Sequence, residues 1–325
     1  MVEEKPKVFV SILSWNGCDD LLHCLENLFL SDYENFEVLV VDNGSTDQSV
    51  ETVKSRYPHI KIIQNTTNLG FTGGNNVGMK YATDNGADYV FLLNDDAIVM
   101  GDTLSKLVSC SESDKTIGLA SPIVYTVDGK IQFCGSLLDL NETKIHSKIS
   151  YEHDGSSNKN GLIDCLWGTA LLIKKELIQT IGLLDDRFFA YFEDTDYSVR
   201  SHASGFKNII ATEAKVIHKN TTLQAERPPH YHYLYIRNKY MFFMKYYEHG
   251  TFSYFRFIRL YVSEVLYLAG NLRDRDLQNC VDACLTGFWD AISRTSGPPG
   301  KNSSVPAWVK KIILWHPYFI ANLLK

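Results

Sequence analysis

Short runs of branched and aromatic residues, Val8–Ser14, Phe36–Val41, Ile60–Gln64 and Tyr89–Leu93, alternate along the chain with stretches whose apolar positions recur at helical spacing. The helical stretches are Asp19–Leu30, Gln48–Tyr57 and Asn75–Asp84. Strand and helix in alternation predict an α/β architecture with a doubly wound, mostly parallel sheet, because a parallel pair needs a crossover of the length a helix supplies. Tyr89–Leu93 is apolar throughout, as a central strand buried on both faces is. Gly118–Tyr125 predicts a further strand, and Lys130–Tyr151, with its Gly and Asn residues, a hairpin excursion. The polar stretch His153–Gly161 predicts a mobile surface loop. Beyond it lie an apolar run at Cys165–Ile173, a short helix at Lys175–Ile181, a second helix at Asp194–Ser204 that stops before Gly205, and strand-like residues ending at His218.

A boundary is expected near Ala225–Pro229, dividing an α/β part, 1–225, from a helical region, 226–325. In the latter Tyr254, Ile258, Tyr261, Val265 and Leu268 fall on one helical face with Arg256 and Arg259 off it. A loop rich in Gly, Pro and Ser, Ser296–Pro306, separates a last amphipathic segment, Ala307–Leu324.

Composition narrows the classes. A net charge of −6 over 325 residues argues against a general binder of nucleic acid, which carries a strongly basic face. The seven cysteines form no CxxC pair, which predicts free thiols in a reducing compartment and no structural zinc. MVEEKPK is charged and leads straight into a strand, so neither a secretory signal nor a transit peptide is expected; no apolar run is long enough to span a bilayer. These features predict a cytoplasmic protein. Locally, Arg227, Arg237, Lys239, Lys245, Arg256 and Arg259 face only Glu248 and are interleaved with Tyr and Phe. That pattern suits peripheral contact with anionic lipid at the inner face of a membrane, and equally a helical homodimer interface.

The run YVFLLNDDAIV halts at Asn94-Asp95-Asp96. Two carboxylates at the carboxyl edge of a buried strand are kept ionised by a divalent cation shared with an anionic ligand such as a nucleotide diphosphate; the alternative is a turn in which Asp merely ends the strand. Asp42 ends the second strand, where an acid can accept from a ribose hydroxyl or a base N–H. A dinucleotide-binding domain is excluded, because Ser14-Trp15-Asn16-Gly17 occupies the place of its GxGxxG turn. Ser45, Thr46 and Asp47 read as helix caps. Gly70, Gly73 and Gly74 precede a helix and permit close backbone approach, but no Lys-Ser/Thr follows, so an ATPase P-loop is not supported. In DDRFFAYFEDTD the acids Glu193 and Asp196 complement a helix dipole, and a carboxylate set among Phe and Tyr has the raised pKa a general base wants. Trp167, beside Gly168 and Thr169, reads either as a wall on the acceptor side or as core packing, and His218 alone as a structural histidine or a metal ligand.

In order and approximate spacing, VFVSILSWNG, VVDNGSTD, NLGFTGGNNVG, LLNDDA, the stretch from WGTALL through FEDTDYSVRSHASGF, and VIHK resemble family 2 glycosyltransferases of GT-A fold over about residues 7–220. The chain is most similar to the rhamnosyltransferase and galactofuranosyltransferase-like members. The resemblance implies an inverting, metal-assisted transfer of a sugar, rhamnose from dTDP-rhamnose or a hexose or galactofuranose from a UDP-sugar, to a hydroxyl of a glycan or lipid-linked glycan. It implies that Trp15 and Asp42 hold the nucleobase, that Asn68 and the Gly73–Asn76 turn, including Asn75, lie near the diphosphate or sugar, and that Asp95 contacts ribose or donor sugar. Asp96 and His218 would hold a divalent cation, Mn or Mg, and Asp194 would be the catalytic base, with Glu193 beside it on the acceptor side. One departure is Asn94, which stands first in the family's DxD-type triplet; an amide oxygen is a weaker ligand than a carboxylate, so the cation would rest on Asp96, His218 and the phosphates. Two competing readings are a non-catalytic sugar-nucleotide-binding scaffold, against which Asp96, Asp194 and His218 together count, and a nucleotidyltransferase, whose cationic first loop is absent at Ser14–Gly17.

Overall fold

The computed structural model describes residues 5–139, 144–147, 163–219, 226–246, 251–300, 305–308 and 310–311. These fall into two compact units, one of Met1–Asp139, Lys144–Asp186 and Glu193–Thr221, the other of Leu140–Thr143, Arg187–Phe192 and Thr222–Lys325.

The first unit opens with β1 (Val8–Ser14), α1 (Cys18–Leu28), β2 (Phe36–Asp42), α2 (Ser49–Arg56), β3 (Lys61–Gln64), α3 (Gly70–Asp84) and β4 (Tyr89–Asn94). It continues through β5 (Ala97–Val99), α4 (Thr103–Glu112), β6 (Ile117–Tyr125), β7 (Ile131–Phe133), β8 (Ser136–Asp139), β9 (Lys144–Ser147), β10 (Ile163–Cys165), β11 (Ala170–Lys174), α5 (Lys175–Ile181), α6 (Glu193–Ala203) and β12 (Lys207–His218). The main sheet has the order β3-β2-β1-β4-β11-β6-β12-β5, with β7 paired to β6, and a small second sheet joins β10, β8 and β9. Strands β3, β2, β1 and β4 are parallel neighbours, whereas β11 runs antiparallel to both β4 and β6. Alternate strand residues feed separate cores: Val8, Val10, Ile12, Phe91 and Leu93 pack on one face, Phe9, Val90 and Leu92 on the other. That division is why the central strands β1 and β4 are apolar at nearly every position.

Three features depart from the sequence reading. The helix expected from Asn75 begins at Gly70, so Gly73 and Gly74 lie inside α3 rather than ahead of it. A Cβ on Gly74 would stand 2.3 Å from Leu13 Cδ1, and one on Gly78 2.0 Å from Ser11 Oγ, so α3 rides closer to β1 than side chains allow; close packing overrides the poor helix propensity of glycine. The run Cys165–Ile173 is divided between β10 and β11 by the bend that contains Gly168. Ser45 and Thr46 do not cap α2, whose N-terminus has no side-chain cap at Gln48. The expected loop His153–Gly161 lies outside the described residues, all seven cysteines are free, and among the described residues no helix is long and apolar enough to cross a membrane.

The second unit contains α7 (Pro229–Tyr246), α8 (Thr251–Asp274) and α9 (Gln278–Ile292). The buried stripe of α8 is Phe257, Tyr261, Val265 and Ala269, at a spacing of one helical turn; Tyr254, expected on that stripe, is exposed, because the ring of Phe257 takes the inward position. Backbone proximity governs α7 and α9 as well, since a Cβ on Gly287 would meet Tyr233 O at 2.3 Å. Most of Ala307–Leu324 lies outside the described residues.

Candidate active site

Register places the candidate residues at one edge of the first unit's sheet. Ser14 pairs with Asp42 and Leu13 with Asn94, so three adjacent parallel strands end level, and the residues that follow them collect at the carboxyl edge where α/β sheets take ligands. Trp15 leaves β1 with 54% of its surface exposed, an indole presented to solvent. Asp42 is buried and accepts a hydrogen bond from Ser45 N at 3.2 Å. Asn16, in the left-handed region at φ 53°, ties the two loops together: its N–H donates to Ser45 Oγ at 2.9 Å and its Oδ1 accepts from Thr46 N at 2.8 Å. Ser45 and Thr46 are thus spent on the loop that carries Trp15, while Asp47 Oδ1 accepts from Ser49 N at 3.1 Å, close to a cap's role.

Asn43, which sequence reasoning passed over, organises the next loop. It is buried, donates from Nδ2 to Asn68 Oδ1 and Gly70 O, both at 3.0 Å, and accepts at Oδ1 from Asn65 Nδ2 at 3.1 Å and Leu69 N at 3.0 Å. Asn68 Oδ1 also accepts from Gly70 N at 2.7 Å, which shapes the start of α3. Gly73 sits in the first turn of that helix, where a Cβ would meet Leu69 Cβ at 2.8 Å. Asn75 is buried, and its amide donates to Phe71 O at 3.0 Å.

The turn after β4 carries Asp95 and Asp96. Antiparallel pairing of β12 with β5 aligns His218 with Ala97 and so sets the imidazole beside Asp96, with His218 Nε2 3.2 Å from Asp96 Oδ1. The other ring nitrogen lies 2.9 Å from Gln132 Oε1 on β7. The imidazole thus bridges a carboxamide and a carboxylate through its two ring nitrogens. Asp96 Oδ1 is buried and accepts no conventional hydrogen bond. A carboxylate oxygen and an imidazole nitrogen at this distance can share a proton or a cation, so Asp96 and His218 could hold a divalent ion; among the described residues no group of three or more His, Cys, Asp or Glu gathers, and further ligands would fall to a bound anion and water. Asp95 is pushed up to about 7, first by burial and then by the neighbouring charge of Asp96. A Cβ on Gly17 would stand 2.6 Å from Asp95 Oδ2, so this carboxylate requires glycine there. Asn94 ends β4 with its N–H donating to Thr169 O at 3.0 Å, which draws the bend before β11 to the same edge.

On that bend Gly168 N donates to Asp194 Oδ2 at 3.1 Å, while Thr195 N donates to Asp194 Oδ1 at 2.6 Å. Burial raises the Asp194 carboxyl above its ordinary value, and these N–H donors hold the rise in check. The result is a carboxylate oriented at the first turn of α6 and readily protonated. Glu193 is more deeply buried, Oε2 has no hydrogen-bond partner, and burial with the charge of Asp194 raises its pKa well above normal. Trp167 is half-buried and stacks on Phe133 at 4.2 Å between ring centroids.

The family model described as Glycosyl transferase family 2 matches residues 9–182. An N-acetylglucosaminyl-diphospho-decaprenol L-rhamnosyltransferase of Mycobacterium tuberculosis is 23% identical over 214 residues, covering 60% of this chain and 70% of that protein. The dTDP-rhamnosyl transferase RfbF of Shigella flexneri is 22% identical over 185 residues, covering 57% of this chain and 60% of that protein. The chain thus spans less than two-thirds of the Shigella protein, and 21% of a longer relative from Sinorhizobium fredii. Among solved structures, the mannosyltransferase PcManGT from Pyrobaculum calidifontis, in complex with GDP-Man and Mn2+, superposes with a TM-score of 0.55 at 17% identity over 99% of this chain and 84% of its own, a likeness of fold.

Proposed function

The chain belongs to glycosyl transferase family 2, and from that premise we propose that it moves a sugar, rhamnose from dTDP-rhamnose in the first instance, onto a hydroxyl of a glycan or lipid-linked glycan with inversion of configuration. The observation that carries this reading is the convergence on one sheet edge of an exposed indole, Trp15, a buried acid, Asp42, the pair Asp96 and His218, and the oriented carboxylate of Asp194. The names of the mycobacterial and Shigella relatives support rhamnose as the sugar, and the mycobacterial name a polyprenyl-diphosphate acceptor.

In this reading Trp15 stacks on the nucleobase while Asp42 accepts its imino N–H. Asp194 accepts the proton of the acceptor hydroxyl as that oxygen bonds to the anomeric carbon; the bond from that carbon to the diphosphate oxygen breaks on the opposite side, and the nucleoside diphosphate departs. The requirement on Asp194 is orientation and an accessible proton affinity, which the Gly168 and Thr195 N–H donors and partial burial supply. A divalent cation at Asp96 and His218 would supply positive charge to the leaving diphosphate. Glu193, being neutral when protonated, leaves Asp194 as the only charged carboxylate of the pair. Asn68, Gly73 and Asn75 act through the loop and first turn of α3, and Trp167 and Glu193 border the acceptor side. The second unit, rich in Tyr, Phe and cations, serves acceptor or membrane contact.

Isothermal titration of UDP and dTDP, with and without manganese, tests the reading. Tight binding that needs manganese supports it, and the preferred base selects the donor class; binding of neither nucleotide overturns it. Metal-dependent binding without turnover on any acceptor would favour the scaffold.

A further inference from the structure

We propose that the hydroxyl of Ser198 positions Asp194, by bracing the bend between β10 and β11 against α6 and so holding the Gly168 N–H on the Asp194 carboxylate. The catalytic part of this inference rests on the reading of Asp194 as the base. All the groups concerned belong to the first unit. The bend, residues 166–169, passes from β10, which pairs with β8 in the small sheet, to β11, which pairs with β4 in the main sheet. Its first three residues belong to neither ladder, so their buried backbone groups need other partners. Ser198 lies on α6 one turn beyond Asp194, and its side chain is wholly buried. Its Oγ accepts from Leu166 N at 3.1 Å and donates to Asp194 O at 2.9 Å. Two residues further along the bend, Gly168 N donates to Asp194 Oδ2 at 3.1 Å. The bend therefore meets Asp194 twice, at the carboxylate directly and at the carbonyl through the serine hydroxyl.

Asn208 supplies a second tie between the same elements. It lies on β12, is 8% exposed, and donates from Nδ2 to Asp164 O on β10 and to Ser198 O on α6, both at 2.8 Å. Two carbonyl oxygens only accept, which fixes the orientation of the amide. A serine inside a helix ordinarily turns its hydroxyl to the carbonyl one turn back, a bond that adds little stability. Thr180 makes that bond on α5, donating to Glu176 O at 2.7 Å. Ser198 differs because its oxygen also takes a backbone N–H from another element; with alanine in its place, the buried Leu166 would lose that acceptor. Glycine is required at the far end of the brace, since a Cβ on Gly168 would stand 2.7 Å from Phe71 Cζ. Ser198 and Asn208 are positioning residues, and no contact of theirs with a reacting atom is implied.

The test uses the full chain and residue-resolved amide hydrogen exchange. Ser198→Ala removes the brace, Asn208→Leu removes the second tie and serves if Ser198→Ala fails to fold, and Thr180→Ala, which loses only a bond to the carbonyl one turn back, is the control. We expect the amides of Leu166 and Gly168 to exchange at least tenfold faster in Ser198→Ala, and that of Gly168 likewise in Asn208→Leu. The amides of β1 should stay protected, and Thr180→Ala should leave Leu166 and Gly168 unaltered. The Gly168 N–H also favours the ionised form of Asp194, whose titratable neighbours Glu193 on α6 and Cys165 on β10 remain in both variants. Transfer from dTDP-rhamnose to a GlcNAc-diphospho-polyprenol should therefore rise over a higher pH range in Ser198→Ala and lose roughly tenfold in kcat, with affinity for dTDP within twofold. Unchanged exchange at Gly168, faster exchange at Leu166 alone, or a rise that includes β1 overturns the proposal. If Asp194→Asn retains turnover while Ser198→Ala still frees Gly168, the base assignment falls and the brace stands.

Discussion

His218 Nε2 stands 3.2 Å from Asp96 Oδ1, and the Nδ1 of the same ring is 2.9 Å from Gln132 Oε1. One imidazole therefore links the turn after β4 to β7, and its orientation is held from outside the pair. Asp96→Ala or His218→Ala should abolish manganese-dependent binding of UDP or dTDP. Gln132→Leu should weaken manganese affinity by roughly 10- to 100-fold, the usual cost of removing an outer partner of a ligating histidine. Calorimetry with nucleotide present reads both, and unaltered manganese affinity in Gln132→Leu would dismiss the orienting role.

Asp194→Asn should preserve nucleotide binding and lower turnover by about 10²- to 10⁴-fold, the range for a lost general base. In the wild type, transfer should rise with pH as Asp194 ionises, over a range displaced above the ordinary aspartate value of about 3.9 because burial favours the protonated form. Near-normal transfer by Asp194→Asn would remove it as the base.

Glu193 makes a prediction about stability. Its pKa in the folded chain lies well above the unfolded value of about 4.3, so the folded state keeps a proton that the unfolded state releases. The stability this contributes is complete below the unfolded pKa and is lost as pH rises through the folded one. Glu193→Gln, neutral at every pH, should melt above the wild type at roughly pH 8 and close to it at roughly pH 4. Parallel melting curves across that range would show the carboxyl to be ionised in the fold.

Trp15 is exposed where a nucleobase is proposed to stack. Trp15→Ala should cost about 1–3 kcal/mol of dTDP or UDP affinity, with Trp15→Phe in between, as for other base-stacking aromatics. Equal affinity in all three proteins would place the base elsewhere.

Gly78→Ala tests the approach of α3 to β1. The added methyl would stand 2.0 Å from Ser11 Oγ, and such overpacking costs about 1–3 kcal/mol, readable as a lowered denaturation midpoint. An unchanged midpoint would mean that the helix shifts at no cost.

The central strands were legible because burial on two faces writes a nearly continuous apolar run: Val8–Ser14, broken only by serine, reads as a strand from sequence and is one, and Lys175–Ile181 likewise as a helix. The start of α3 was not legible, since Gly70, Gly73 and Gly74 carry a loop's signature and are helical only through contact with β1. Asn43 escaped notice for a related reason: an Asn before Gly looks like turn chemistry, and its four partners are assembled by folding. Gln132 and Gly17 were invisible because their neighbours, His218 and Asp95, come from other parts of the chain. Arg237 was read only as one cation of a basic, aromatic stretch, yet its side chain is buried; nothing local marks a cation as buried.

The pairing of β12 with β5 also has a consequence for biosynthesis. Asp96 emerges from the ribosome long before His218, and until β12 docks beside β5 the aspartate has no imidazole opposite it. The strands that end at Trp15 and Asp42 are neighbours early in the chain and assemble from nearer contacts. A nascent or truncated chain ending before β12 would thus present the edge proposed for the base without the pair proposed for the cation, so the second ability would be acquired only as the first unit completes its fold.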